Sequence, residues 1–443
     1  MNPKHAFLIF SLFFTLFTEA QHSVSGNLSP AEDYKWLIAY KLNPDHQNYI
    51  ADTEVKNGAF LLKMPTNAQA GMYRLVYAVP QEEFYFDFIY NGKEDIVLSF
   101  DPQIGLSFTA SNENLLYTSY FNEIYGLEKQ IAQFYSDVKK DRDLLFKLFK
   151  KLAMVQESYE TRSQGLLSGH FIKANRPYIP SDYEDAETYL KHKKQHYFDA
   201  LDFNDPVLQG SAFLTEKVVN YVFTAIPKEQ LSTQEKQREI KENVKELALV
   251  LENVSATNKV QLFNSLWTQA ANDNLTHAAD FIYNNYLKSL ATATNKSDII
   301  KKIEIQNRLR FGAVAPEITW NEGGTTKKLS GLGGAKYYVV VFWSSTCSHC
   351  LQQLPEFQKG IKEISGVKVL AIGLEDDDVT WKKESTKLPG FIHGMALGKW
   401  ESPYAEIYDI HQTPTYYILD SEKRIVARPE DYIGVVKFLK AEK

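Results

Sequence analysis

From Ser23 to Thr109 the chain is a series of short apolar runs rich in aromatic and β-branched residues. These are Trp36–Leu42, Ala59–Lys63, Met72–Tyr77, Phe84–Ile89 and Ile96–Phe100, and the turn-forming pairs Asn57-Gly58, Ala70-Gly71, Asn91-Gly92 and Asp101-Pro102 separate them. Runs of this length and spacing predict strands, and several in succession predict a small all-β sandwich over residues 21–111.

The texture changes near Asn112. Apolar residues then recur at helical steps: Tyr120, Ile124 and Leu127 continue into Ile131 and Phe134, and Leu144 and Leu145 lead to Leu148 and Leu152. The stretches 239–254 and 260–286 behave alike, and Ser232 followed by Glu235 reads as a capping box opening one helix. Two prolines, Pro177 and Pro180, interrupt any helix there. Residues 112–311 are therefore expected to form an α-helical domain.

A third texture begins at Gly312. The run Tyr337–Trp343 is apolar without interruption, as a central strand buried on both faces would be. A helical stretch to about Ile364 follows, then a second buried strand over Val367–Gly373. A hairpin made of Thr415–Asp420 and Arg424–Ala427 comes next, and a closing helix over Tyr432–Lys440. This order is α/β, and it sets residues 312–443 apart as a third domain.

Composition adds limits rather than chemistry. A chain of 443 residues with 44% hydrophobic and 23% charged positions is globular and too long for one ordinary domain. A net charge of −6 gives no support to nucleic-acid binding or to docking on anionic membranes. At the N-terminus, Lys4 and His5 precede an apolar run from Ala6 to Phe17, and Thr18-Glu19-Ala20 carries small residues at −3 and −1 from a cut before Gln21. Residues 1–20 read as a secretory signal, because the run falls short of the ~20 residues a membrane span needs. An uncleaved anchor is the alternative. With no second long apolar run, the mature chain is not expected to span a membrane.

The two cysteines of the chain lie three residues apart, in Cys347-Ser348-His349-Cys350. An exported chain with no other cysteine does not rest on a disulfide framework. A pair at a strand-to-helix junction suits redox chemistry. The first sulfur sits where free N–H groups and the helix dipole favour a thiolate, and the second lies one turn on, placed to resolve a mixed disulfide. Cys347 is thus expected to be the nucleophile and Cys350 the resolving thiol, with His349 favouring the Cys347 thiolate when protonated. Half of a zinc site is the alternative, but structural zinc takes four ligands and no second cysteine pair exists. No metal and no cofactor beyond the cysteine pair are expected.

Residues 312–443 resemble periplasmic thioredoxin-like proteins of the TlpA/ResA type, within the redoxin or AhpC-TSA superfamily. The matching features are Ala315-Pro316-Glu317, the strand end Val341-Phe342-Trp343 before the cysteine pair, Leu354-Pro355 in the following helix, and Thr413-Pro414-Thr415. The resemblance implies a thioredoxin fold, a periplasmic location, protein thiols or disulfides as substrates, and a membrane electron donor. It also implies a cis-proline loop that pairs with the substrate backbone, so Thr413 and Pro414 are expected to contact substrate, and Trp343 is placed with them. The N-terminal β-segment resembles, more weakly, the uncharacterised domain that often precedes such modules.

Departures from the pattern bear on proton transfer. Thioredoxin carries a buried Asp six residues before its first Cys, where this chain has Val341. TlpA/ResA-type proteins commonly carry Glu three residues after the second Cys, where this chain has Gln353. Glu356 is a further candidate acceptor, although a solvated helix carboxylate is the plainer reading of it. The Ser-His dipeptide leaves the direction of electron flow open. Two other functional classes stand beside a reductase or isomerase of exported proteins. A thiol peroxidase would need Pro where Val340 stands, although Ser344 fits its pattern. A non-enzymatic binding protein with a vestigial redox fold is the other.

Overall fold

The structure is a computed structural model that describes residues 22–44, 46–138, 141–225 and 231–442. The leader reading at residues 1–20 lies outside the described residues. Contacts divide the chain into two compact units, one up to Thr294 and one from Asn295 onward.

Among the described residues the first unit opens with eight strands: β1 (Ser23–Leu28), β2 (Trp36–Leu42), β3 (Gln47–Glu54), β4 (Ala59–Lys63), β5 (Gly71–Val76), β6 (Tyr85–Tyr90), β7 (Ile96–Asp101) and β8 (Gly105–Ala110). They form two sheets, ordered β4-β1-β7-β8 and β3-β2-β5-β6. Both sheets bury side chains in one core that contains Val24, Leu37, Phe60, Leu75, Phe88 and Leu98. The N-terminal segment is the expected all-β sandwich, and it shares one compact unit with the helices that follow.

Three strands carry no apolar run. β3 and β8 lie at sheet edges and fully bury almost none of their residues, so little selects for hydrophobic residues along them. β1 is central, antiparallel to β4 and parallel to β7, yet it holds a glycine. A Cβ on Gly26 would lie 1.8 Å from the Leu98 carbonyl oxygen, so only glycine allows the neighbouring strand this close.

Among the described residues ten helices follow: α1 (Asn112–Ser136), α2 (Arg142–Arg162), α3 (Ser168–Ala174), α4 (Ala186–Gln195), α5 (Pro206–Gln209), α6 (Phe213–Thr224), α7 (Thr233–Val250), α8 (Ala256–Asn272), α9 (Thr276–Ile282) and α10 (Lys288–Ala293), with a π-helical turn over Tyr283–Leu287 before the last. α1 buries Leu116, Tyr120, Ile124, Leu127, Ile131 and Phe134, the stripe its periodicity predicts. The buried Asn114 amide ties α1 to β6: it accepts from the Ile89 N–H at 2.8 Å and donates to the Ile89 carbonyl at 2.7 Å. One side chain thus satisfies both backbone groups of an edge-strand residue. The capping box of α7 forms as expected from Ser232 and Glu235. The stretch 260–286 is not one helix, because Asn274 adopts a left-handed φ of 57° and separates α8 from α9.

The second unit contains α11 (Ser297–Leu309), β9 (Thr319–Glu322), β10 (Thr325–Lys328), β11 (Tyr337–Trp343), α12 (Ser348–Ile361), β12 (Val367–Glu375), α13 (Val379–Ser385), β13 (Ile392–Leu397), α14 (Pro403–Ile407), β14 (Thr415–Leu419), β15 (Ile425–Ala427) and α15 (Tyr432–Ala441). The division by contacts falls before α11, whereas the sequence texture changes at 311/312. A Lys301–Glu406 ion pair at 2.8 Å and a bond from Arg308 Nε to the Ile407 carbonyl at 3.1 Å hold α11 beside α14.

The main sheet has the order β13-β12-β11-β14-β15, with β12 parallel to β11, β13 parallel to β12, and β14 antiparallel to β11. The unbroken apolar run of β11 has a direct cause. Tyr338, Val340 and Phe342 enter one core, and Val339, Val341 and Trp343 enter the other, which α12 and α15 cover. The unit is an α/β thioredoxin-like domain.

Candidate functional site

β11 delivers the chain to the site through Ser344-Ser345-Thr346, and Cys347 then caps the N-terminus of α12. The Cys347 sulfur accepts from the Cys350 N–H at 3.4 Å and lies 3.4 Å from the Thr413 carbonyl oxygen. Both cysteines are free thiols, with Cys347 partly exposed and Cys350 buried. Thr413–Pro414 is a cis peptide and brings this loop against the cysteine pair.

The two thiols differ because their surroundings differ. Partial burial pushes the Cys347 thiol up. Hydrogen bonds to Thr413, to the Cys350 thiol and to the N–H groups of Cys350 and His349 more than offset this, and hold it below its ordinary value. Cys350 has no such surplus. Burial, with the adjacent Cys347, pushes it up to about 12 against the bonds it receives. A partly exposed thiol with a lowered pKa thus stands one turn from a buried thiol whose pKa is raised.

The loop before the cysteines is secured by a residue that sequence reading missed. Glu375, at the end of β12, is 2% exposed. Its carboxyl accepts from the Ser345 N–H at 2.5 Å, from the Ser345 hydroxyl at 3.0 Å and from the Ser344 hydroxyl at 3.4 Å. Burial raises its pKa, and those bonds and the charge of Lys399 partly counter the rise. The Glu375 carbonyl also accepts from the Gly398 N–H at 2.9 Å, which fixes the segment carrying Lys399 and Trp400. A cleft of about 140 Å³ opens between them, lined by Ser344, Thr346, Cys347, Leu374, Lys399, Trp400 and Thr413.

The expected residues fall into place unequally. Cys347, Cys350 and Thr413 converge, and Pro414 is buried directly behind Thr413. The His349 side chain is exposed, and its backbone N–H is what reaches Cys347. Trp343 is a correction. It is fully buried in the core that holds Cys350, Leu354 and Phe357, so it packs the interior and presents no face to substrate. Its place as the last inward-facing residue of β11 is the reason. Glu356 is the solvated helix carboxylate of the plainer reading, paired with Lys359 at 2.8 Å. Gln353 turns its amide oxygen inward, where it is buried without a hydrogen-bond partner. Val341, at the position of the thioredoxin Asp, is opposite Tyr416 in the β11/β14 register, and the fully buried Tyr416 hydroxyl also lacks a partner. Among the described residues no group of histidine, cysteine and carboxylate side chains is placed to hold a metal.

This fold and this cysteine arrangement define a thioredoxin-like domain. Residues 311–428 match the AhpC/TSA family. Among solved structures it is similar to a domain of a possible thiol-disulfide isomerase from Cytophaga hutchinsonii, at 31% identity over 30% of this chain and 93% of that one, with a TM-score of 0.27. A thioredoxin domain of a thiol-disulfide oxidoreductase from Bacteroides vulgatus matches at 27% identity, covering 30% of this chain and 99% of that one, with a TM-score of 0.26. A thioredoxin-like protein from Bacteroides caccae matches at 18% identity over 60% of this chain and 98% of that one, with a TM-score of 0.35. No curated protein matches the chain.

Proposed function

We propose that this protein is an exported thiol–disulfide oxidoreductase that exchanges electrons with cysteines of other polypeptides in the periplasm. The observation that carries the reading is the unequal pair on one helical turn: Cys347 accepts an N–H bond at the α12 N-terminus, and Cys350 is buried behind it. In the reducing direction the Cys347 thiolate attacks one sulfur of a substrate disulfide. That S–S bond breaks, a mixed disulfide forms, and the first substrate sulfur leaves as a thiolate. Cys350 then gives up its proton and attacks Cys347, which releases the second substrate thiolate and leaves a Cys347–Cys350 disulfide. Two electrons pass to the substrate, and an electron donor at the membrane restores the dithiol. Run backwards, the same steps oxidise a dithiol. The cis-Pro loop is the place where a substrate backbone lies, since Thr413 already touches the nucleophile. The secretory signal read at residues 1–20 supports export, and none of the described helices is long and apolar enough to cross a membrane.

The test is trapping. Cys350→Ser is expected to accumulate mixed disulfides through Cys347 in periplasmic extracts, and Cys347→Ser to accumulate none. Equal trapping by both variants, or by neither, would remove the reading. The equilibrium potential of the pair then gives the direction: roughly −270 mV for a reductase, roughly −120 mV for an oxidant or isomerase.

A further inference from the structure

The mechanism above leaves Trp400 without a task. It is 53% exposed, whereas Trp320 and Trp343 of the same domain are 4% and 0% exposed. It stands in the same 140 Å³ cleft as the nucleophile, and it also borders a second cleft of about 410 Å³ lined by Ile305, Ala405, Asp409, Ile410 and His411 among others. The first cleft is too small to enclose a small-molecule ligand, which takes roughly 300–1,000 Å³. It is sized for one side chain, and Trp400 lines both clefts.

The segment that carries Trp400 is anchored to the loop before the sulfur. The Glu375 side chain grips Ser345 and its carbonyl grips Gly398, so one residue fixes both walls of the cleft. Lys399 adds an ion pair to Asp376 at 2.5 Å, and the Ser402 hydroxyl caps α14 just beyond. A half-exposed tryptophan on a braced segment beside a reactive group has the character of a binding hot spot, with large contact area and little freedom to lose.

We propose that Trp400 is a specificity-determining residue that receives the side chain next to the substrate cysteine. It selects polypeptide disulfides with an aromatic or large aliphatic residue at that position. This rests on the oxidoreductase reading and adds its substrate class.

The experiment uses the full chain, fully reduced, in single turnover, so no electron donor is needed. The probes are a disulfide-bonded peptide with Phe beside the cysteine, the same peptide with Gly there, and bis(2-hydroxyethyl) disulfide. The native protein is expected to react with the Phe peptide about ten-fold faster than with the Gly peptide, in line with one hot-spot contact. Trp400→Ala should bring that ratio close to one, and Trp400→Phe should keep most of it. Thermal unfolding of the variants verifies that they are folded. A Phe-to-Gly ratio that is unchanged in Trp400→Ala overturns the proposal, and so does a native protein that reacts with all three probes without preference. In that last case the oxidoreductase reading survives. Failure of the native protein with every probe, together with no trapping by Cys350→Ser, removes both.

Discussion

Remove the Cys347 sulfur, as Cys347→Ser, and the remaining thiol should be almost inert at neutral pH. Cys350 is fully buried and lies at about 12 against an ordinary 9.0, with burial as the largest cause, so the change leaves the main perturbation in place. At pH 8 a thiol at 9.0 is about one-tenth ionised, and one near 12 about one part in ten thousand, a gap of about a thousand-fold in reactive thiolate. Iodoacetamide alkylation followed by mass spectrometry reads this directly. The same shift has a stability signature. The folded state keeps the Cys350 proton above the pH at which the unfolded chain loses it. Its contribution is therefore complete below about pH 9 and is lost as pH rises toward 12, at about 1.4 kcal/mol per pH unit and about 4 kcal/mol in all. Tyrosines and lysines titrate in the same window, so the quantity to compare is the difference between the reduced native protein and Cys350→Ala in urea unfolding from pH 8 to 11. In the Cys350→Ser protein, conversely, Cys347 alkylation should reach its plateau at a lower pH than a free thiol does, since its own pKa is held down. Alkylation of Cys350 in the Cys347→Ser protein at the rate of an unhindered cysteine would refute the reasoning, because burial would then not be setting its protonation.

Two further outcomes test the surroundings of the pair. Glu375→Ala leaves the buried Ser345 N–H without an acceptor and should destabilise the protein by about 2–3 kcal/mol, whereas Glu375→Gln keeps an acceptor and should lose less. Because burial raises the Glu375 pKa, its contribution to stability falls as pH rises from about 4.5 through its folded value, and Glu375→Gln should flatten that part of the profile in urea unfolding. Tyr416→Phe deletes a buried hydroxyl that has no partner, so it should be neutral or stabilising by up to about 1 kcal/mol, and a loss greater than 1 kcal/mol would show that the hydroxyl is bonded.

Much of this protein is local and therefore legible from one strand of text. The strands β2 and β4–β7 announce themselves through apolar runs between turn pairs, α1 through its stripe, and α7 through Ser232 and Glu235. The cysteine pair and Thr413-Pro414-Thr415 are likewise short motifs that can be read locally, although only the fold brings Thr413 against Cys347. What tertiary structure decided is what joins distant segments. β1, β3, β8 and β13 carry no clear run, because edge positions and close strand approach relax or forbid large side chains there. The boundary before α11 rests on contacts with α14, about a hundred residues on. The buried place of Trp343 follows from which face of β11 it occupies, and the placement of Glu375 beside Ser345 from the pairing of β11 with β12 across 30 residues of sequence. Trp400 comes to the same cleft as the nucleophile on a segment anchored by that same Glu375. A carboxylate or an indole has no signature of its own, and its surroundings are assigned only when the sheet brings separate loops to one end.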